Sequence, residues 1–112
     1  MKILTVIGAR PQFIKASVVS KALMSKGISE FLVHTGQHFD DNMSKVFFDE
    51  MGINKPHAFL GVSGGSHGSM TGEMLIKVEE LIIQQKPDWV LVYGDTNSTL
   101  AGALAASKLN VP

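Results

Sequence analysis

A glycine, two cations and a proline follow an apolar run in Val6-Ile-Gly-Ala-Arg-Pro-Gln-Phe-Ile-Lys15, where a strand should give way to a helix. Arg10 offers a planar fork that can grip a phosphate in two places, and Lys15 on the opening helix adds a point charge. Gly8 allows close backbone approach. A turn of this kind suits anion binding, phosphate in particular, because the N-terminus of the following helix presents unpaired N–H groups and a partial positive charge. Two more polar turns come later, Thr35-Gly-Gln-His38 and Gly94-Asp-Thr-Asn-Ser-Thr99. His38 can hydrogen-bond a sugar or a phosphate, and Asp95 can present a carboxylate to a ligand.

Each of these residues has a plainer reading. Gly8 can simply make a tight strand-to-helix turn, Lys15 can be a solvated helix residue, and His38 can be structural. Asp95 can cap the last helix. Thr96 or Ser98 can cap it equally well, which would leave Asp95 to a ligand, and both readings stand. Neither GxGxxG nor GxxxxGK[ST] occurs, so neither a standard dinucleotide fingerprint nor a P-loop is claimed. His34 and His38 are four residues apart, a spacing that does not unite two side chains outside a helix, and no metal site is expected. Gly64-Gly-Ser-His-Gly68 reads as a gating loop or as a passive connection.

The elements that must position these turns alternate along the chain. Lys2 to Ile7 is a β-branched run of the kind buried in a parallel sheet. From Pro11 the residues Ile14, Val18, Val19, Ala22 and Leu23 predict one buried face of a helix stopped by Gly27. Phe31 to Thr35 predicts a second strand, and Asp41 to Met51 a helix closed by Gly52. A third strand is placed at His57 to Gly61. Met70, Met74, Val78, Leu81 and Ile82 form a helical stripe ending before Pro87, with the methionines read as core. Trp89 to Tyr93 predicts a buried strand, and Thr96 to Leu109 a helix. The alternation implies α/β architecture, a Rossmann-like parallel sheet with helices on both faces, in which ligands bind beyond the carboxyl ends of the strands. All three polar turns lie at that end. The closing Asn110-Val-Pro112 reads as a loop leading to another strand, so the four-strand chain is expected to be a piece of something larger.

Composition narrows the function classes. The 112 residues are 45% hydrophobic, enough for a core, and ten basic residues balance ten acidic ones. No global field draws such a chain to nucleic acid or to an anionic membrane, so any anion site is local. Cysteine is absent, which excludes disulfides and thiolate metal sites and suits a reducing cytoplasm. No apolar stretch approaches the roughly 20 residues that span a bilayer. No internal repeat or low-complexity segment is present.

Gly8-Ala-Arg-Pro-Gln-Phe-Ile-Lys15, Thr35-Gly-Gln-His38 and Val92-Tyr-Gly-Asp-Thr-Asn-Ser-Thr99, in this order and spacing, closely resemble the N-terminal part of the non-hydrolysing UDP-N-acetylglucosamine 2-epimerases. The resemblance implies a partial N-terminal domain of the two-domain GT-B architecture, a cytoplasmic enzyme and a homodimer at full length. It also implies a reaction without cofactor, in which UDP-N-acetylglucosamine and UDP-N-acetylmannosamine interconvert by loss of the C2 proton and expulsion of UDP. The 2-acetamidoglucal intermediate then takes UDP back after protonation on its other face. On this reading Asp95, Lys15 and Arg10 are catalytic, Asp95 through acid/base chemistry or positioning of the sugar and the cations at the leaving diphosphate. Gly8, Arg10, Gln37, His38, Gly94 and Thr96 contact the substrate. Further family glutamates, a histidine and most uridine contacts fall beyond Pro112, so this chain alone should not turn over.

Asp40 and Glu73 stand where regulated bacterial members carry a glutamine and an arginine, which weakens the case for a second, regulatory sugar nucleotide. The Gly-Ala-Arg-Pro-Gln-Phe wording also resembles the subgroup that epimerises UDP-2,3-diacetamido-2,3-dideoxyglucuronate for surface polysaccharides. A reading from another class is a non-catalytic nucleotide-binding half of a glycosyltransferase-like protein, and a third is a scaffold with no ligand.

Overall fold

The computed structural model describes residues 1–8, 10–36, 56–62 and 64–112. Strand β1 (Lys2–Ile7) leads to helix α1 (Arg10–Ser25), strand β2 (Ser29–His34) and a short strand β3 (Ala58–Phe59). Helix α2 (His67–Gln85), strand β4 (Trp89–Val92) and helix α3 (Asn97–Lys108) follow. The predicted helix at 41–51 lies outside the described residues.

All four strands are parallel, in the order β3-β2-β1-β4. Backbone bonds from His57 N–H to the Leu32 carbonyl and from Val62 N–H to the Thr35 carbonyl extend the pairing beyond β3 itself, so the expected third strand is present but short. Alternation within β1 sorts the two faces. Leu4 and Val6, with Val33 of β2, pack against Val78 and Ile82 of α2 and Ala105 and Ala106 of α3. On the opposite face Ile7 and Leu32 meet Phe13 and Ala16 of α1. The result is a three-layer α/β sandwich of the expected Rossmann-like class.

Two burial expectations are corrected. The buried face of α1 is Gln12, Phe13, Ala16 and Ser17, whereas Ile14 and Val18 are 52% and 66% exposed. The aromatic ring at 13 covers more sheet than Ile14 could, and the helix turns that face inward. Strand β4 also ends at Val92 rather than Tyr93, and its Trp89 is half exposed, because β4 is an edge strand in the described sheet.

Turns and close approaches account for the glycines that matter. Helix α3 lies directly on the sheet: a Cβ at Gly102 would come within 2.8 Å of Val92 Cγ1 and 3.4 Å of Val6 Cγ2. Helix α2 is capped at its start by Ser66, whose hydroxyl accepts from Ser69 N–H, and at its end by Lys86 in the left-handed region. Its stripe of Met74, Val78 and Ile82 is buried as predicted.

Candidate functional site

Strand β1 is the turning point of the sheet. The helix after it, α1, covers one face, while the helix after its neighbour β4, α3, covers the other. A crevice at the carboxyl ends of such a pair is where open α/β sheets bind ligands. The first turn opens it on one side and Gly94-Asp95-Thr96 on the other.

Gly8 sits at its floor. A Cβ there would come 2.2 Å from Ser98 Oγ and 2.5 Å from Thr35 Oγ1, two hydroxyls that hydrogen-bond each other at 2.8 Å. The glycine is thus demanded by packing, and the same contacts bring the first, second and last polar turns together. Thr35 and Ser98 are buried. The backbone N–H of Gly8 donates to Gln12 Oε1 at 2.9 Å.

Gln12 links the two sides. Its Nε2 donates to the Tyr93 carbonyl at 2.7 Å and to Thr96 Oγ1 at 3.2 Å. The Tyr93 carbonyl also accepts from Thr99 Oγ1. Gly94, the next residue, has φ +71°, which only glycine adopts without strain. Position 12 carried no weight of its own in the sequence, because nothing in a motif announces that a buried amide will bridge two strand ends.

Asp95 follows Gly94 and is exposed, and among the described residues none bonds to its carboxylate. The N-cap of α3 is Thr96, whose side chain makes no capping bond. The structure therefore removes capping as a reason for Asp95, and leaves the carboxylate beside a helix N-terminus with a partial positive charge. Thr96, read as a substrate contact, is engaged by Gln12 and Thr99. Lys15 is exposed on α1. Arg10 opens α1, but its side chain is outside the described set, as are Gln37 and His38. Asp40 also falls outside it, and Glu73 pairs with Lys77 at 3.2 Å on the surface of α2.

The glycine-rich segment arrives at the same end of the sheet. Its His67 Nδ1 lies 2.9 Å from Asn97 Nδ2, so the start of α2 touches the start of α3 two residues past Asp95. Beneath the crevice, His34 is fully buried and packs between the rings of Phe13 and Phe59 at 5.1 and 5.2 Å. Burial lowers its pKa to about 4, so at neutral pH the ring is uncharged, and its Nδ1 accepts from Gly36 N–H at 2.9 Å. Tyr93 moves the other way, to about 12, through burial and, secondarily, the Glu30 carboxylate. No helix among the described residues is long and apolar enough to cross a membrane.

Comparison with known proteins gives a consistent result. The sequence model described as UDP-N-acetylglucosamine 2-epimerase matches residues 21–112. The UDP-2,3-diacetamido-2,3-dideoxy-D-glucuronate 2-epimerase of Pseudomonas aeruginosa is 67% identical over 100% of this chain and 32% of its own length. A UDP-N-acetylglucosamine 2-epimerase of Methanococcus maripaludis is 50% identical over 98% of this chain and 30% of its own. Among solved structures, Methanocaldococcus jannaschii UDP-GlcNAc 2-epimerase in complex with UDP-GlcNAc and UDP superposes with a TM-score of 0.94 at 45% identity. That match covers 99% of this chain and 31% of the other. The chain thus spans about a third of the length of the curated relatives it matches.

Proposed function

Because the chain belongs to the UDP-N-acetylglucosamine 2-epimerase family, we propose that it supplies one wall of the active site of a non-hydrolysing UDP-sugar 2-epimerase, with UDP-N-acetylglucosamine as substrate. The observation that carries this reading is Asp95, an exposed carboxylate at the sheet's switch point, next to a helix N-terminus and spared from capping it. The C2 proton of the sugar leaves to a base, and the C1–O bond breaks with its electron pair departing on UDP. C2 of the glycal is then reprotonated on its opposite face, and a UDP oxygen re-forms the bond to C1. Asp95 serves the proton transfers or holds the sugar for them. Arg10, Lys15 and the start of α1 stabilise the charge that develops on the leaving diphosphate. Gly8, Gln37, His38, Gly94 and Thr96 line the substrate's path. The opposite wall comes from the second domain of a GT-B protein, which acts as a homodimer in the cytoplasm.

The test uses the full-length protein with UDP-N-acetylglucosamine in heavy water. Deuterium enters at C2, traces of free UDP and glycal accumulate, and Asp95→Asn lowers both by about 10²- to 10⁴-fold. UDP binding without any deuterium at C2 would leave only a non-catalytic nucleotide-binding module. The 67% identity to the Pseudomonas aeruginosa enzyme favours a second reading, in which the preferred substrate is UDP-2,3-diacetamido-2,3-dideoxyglucuronate and the elimination chemistry is the same. Comparing kcat/KM for the two sugar nucleotides separates the readings.

A further inference from the structure

We infer that Gln12 is the positioning residue that sets the Asp95 turn against the first turn. The register between β1 and β4 runs from Ile3 and Trp89 to Val6 and Val92 and ends there, short of both turns. Past that point the Gln12 amide joins the two strand ends. One end of the amide accepts from Gly8 N–H, and the other donates to the Tyr93 carbonyl and to Thr96 Oγ1. Those residues flank Gly94 and Asp95 on both sides. With Thr99 as its second donor, the Tyr93 carbonyl has both lone pairs engaged, which fixes the plane of the peptide leading into Gly94.

The side chain suits the task in three respects. It is 6% exposed, so its hydrogen bonds face little competition from water. It carries an acceptor and a donor on one rigid plane, which a hydroxyl or a hydrocarbon of that length does not. The Gly94 backbone it borders has φ +71°, a conformation suited to glycine, so the turn that Gln12 holds is a tight one. Gln12 does not meet the reacting sugar on this account. It acts through the placement of Asp95, and displacement of a catalytic group by about 1 Å costs on the order of 10²-fold in rate.

This inference rests on the epimerase reading, and its experiment separates the two. In the full-length protein, Gln12→Met keeps the length of the side chain and deletes both polar ends. Two quantities are measured on the folded variant: kcat and KM for UDP-N-acetylglucosamine, and amide hydrogen exchange in peptides covering 94–97 and 101–108. The expected result is a fall in kcat of about 10- to 100-fold with KM changed by less than about threefold. Exchange rises at 94–97 and stays level at 101–108. An unchanged kcat, or a rise in exchange spread evenly over both segments as general destabilisation would give, overturns the assignment. A wild-type protein that puts no deuterium at C2 refutes the epimerase reading instead. In that event the exchange comparison alone decides whether Gln12 holds the turn.

Discussion

Acid should weaken this fold through one residue, His34. Its ring is fully buried between Phe13 and Phe59, and burial lowers its pKa from 6.5 to about 4. The unfolded chain therefore binds a proton near pH 6.5 that the folded chain refuses until about pH 4. Stability is complete above the unfolded value and declines as pH falls through that window. The gap between the two values corresponds to about 3 kcal/mol, a large share of the 5–15 kcal/mol of a typical domain. The control is His34→Asn, whose side-chain oxygen can take over the acceptor role of Nδ1 toward Gly36 N–H but does not titrate. It loses ring packing and starts out less stable. Urea unfolding followed by circular dichroism from pH 7 to pH 4 should show the wild-type chain losing about 3 kcal/mol more than the variant. Parallel curves would refute the reasoning, because every other acid-sensitive group is common to both proteins.

Gly8→Ala should cost about 3 kcal/mol in the same assay, from overpacking against Ser98 and Thr35 and loss of their mutual hydrogen bond. In a Ser98→Ala background that cost should shrink by at least about 1 kcal/mol, and strict additivity would show that the clash is relieved elsewhere. Tyr93→Phe should leave stability at neutral pH within about 0.5 kcal/mol, since the buried hydroxyl has no hydrogen-bond partner among the described residues. The wild-type phenol, with its pKa raised to about 12, should lose stability as pH rises from 10 to 12, and the phenylalanine variant should lack that component. Phe13→Ala should cost about 3–5 kcal/mol and Val18→Ala less than about 0.5 kcal/mol, and the reverse order in unfolding midpoints would contradict the orientation of α1.

Most of the frame was legible because periodicity and glycine placement carry it. The run from Lys2 to Ile7 is β-branched enough to mark a central strand, and the spacing of Met74, Val78 and Ile82 leaves one helical face for the core. Helix α1 misled because residue type was read without size. Ile14 and Val18 are apolar, yet Phe13, Ala16 and Ser17 fit the sheet more closely, and the two β-branched residues are left outside. At the candidate site, Gly8, Gly94 and Asp95 were marked by motif. Gln12 lies within the same motif without a signal of its own, since its role depends on Tyr93 and Thr96 arriving from 81 and 84 residues away. Long-range hydrogen bonds of this kind leave no local periodicity to read.

Gly102 sets how closely α3 rests on the sheet. It lies on the face of α3 that rests on Val92 and Val6, at the carboxyl ends of β4 and β1 just before the turns, and its missing side chain lets the helix settle onto the sheet. A Cβ here would lie 2.8 Å from Val92 Cγ1, so the valine side chain or the helix must give way to any larger residue. A shift of the helix would be felt at its start, where Asn97 follows directly on Asp95 and Thr96. A search for altered crevice geometry that randomises only the residues of the three polar turns would miss this position. The placement of the Asp95 turn thus has a lever on the sheet-facing side of α3.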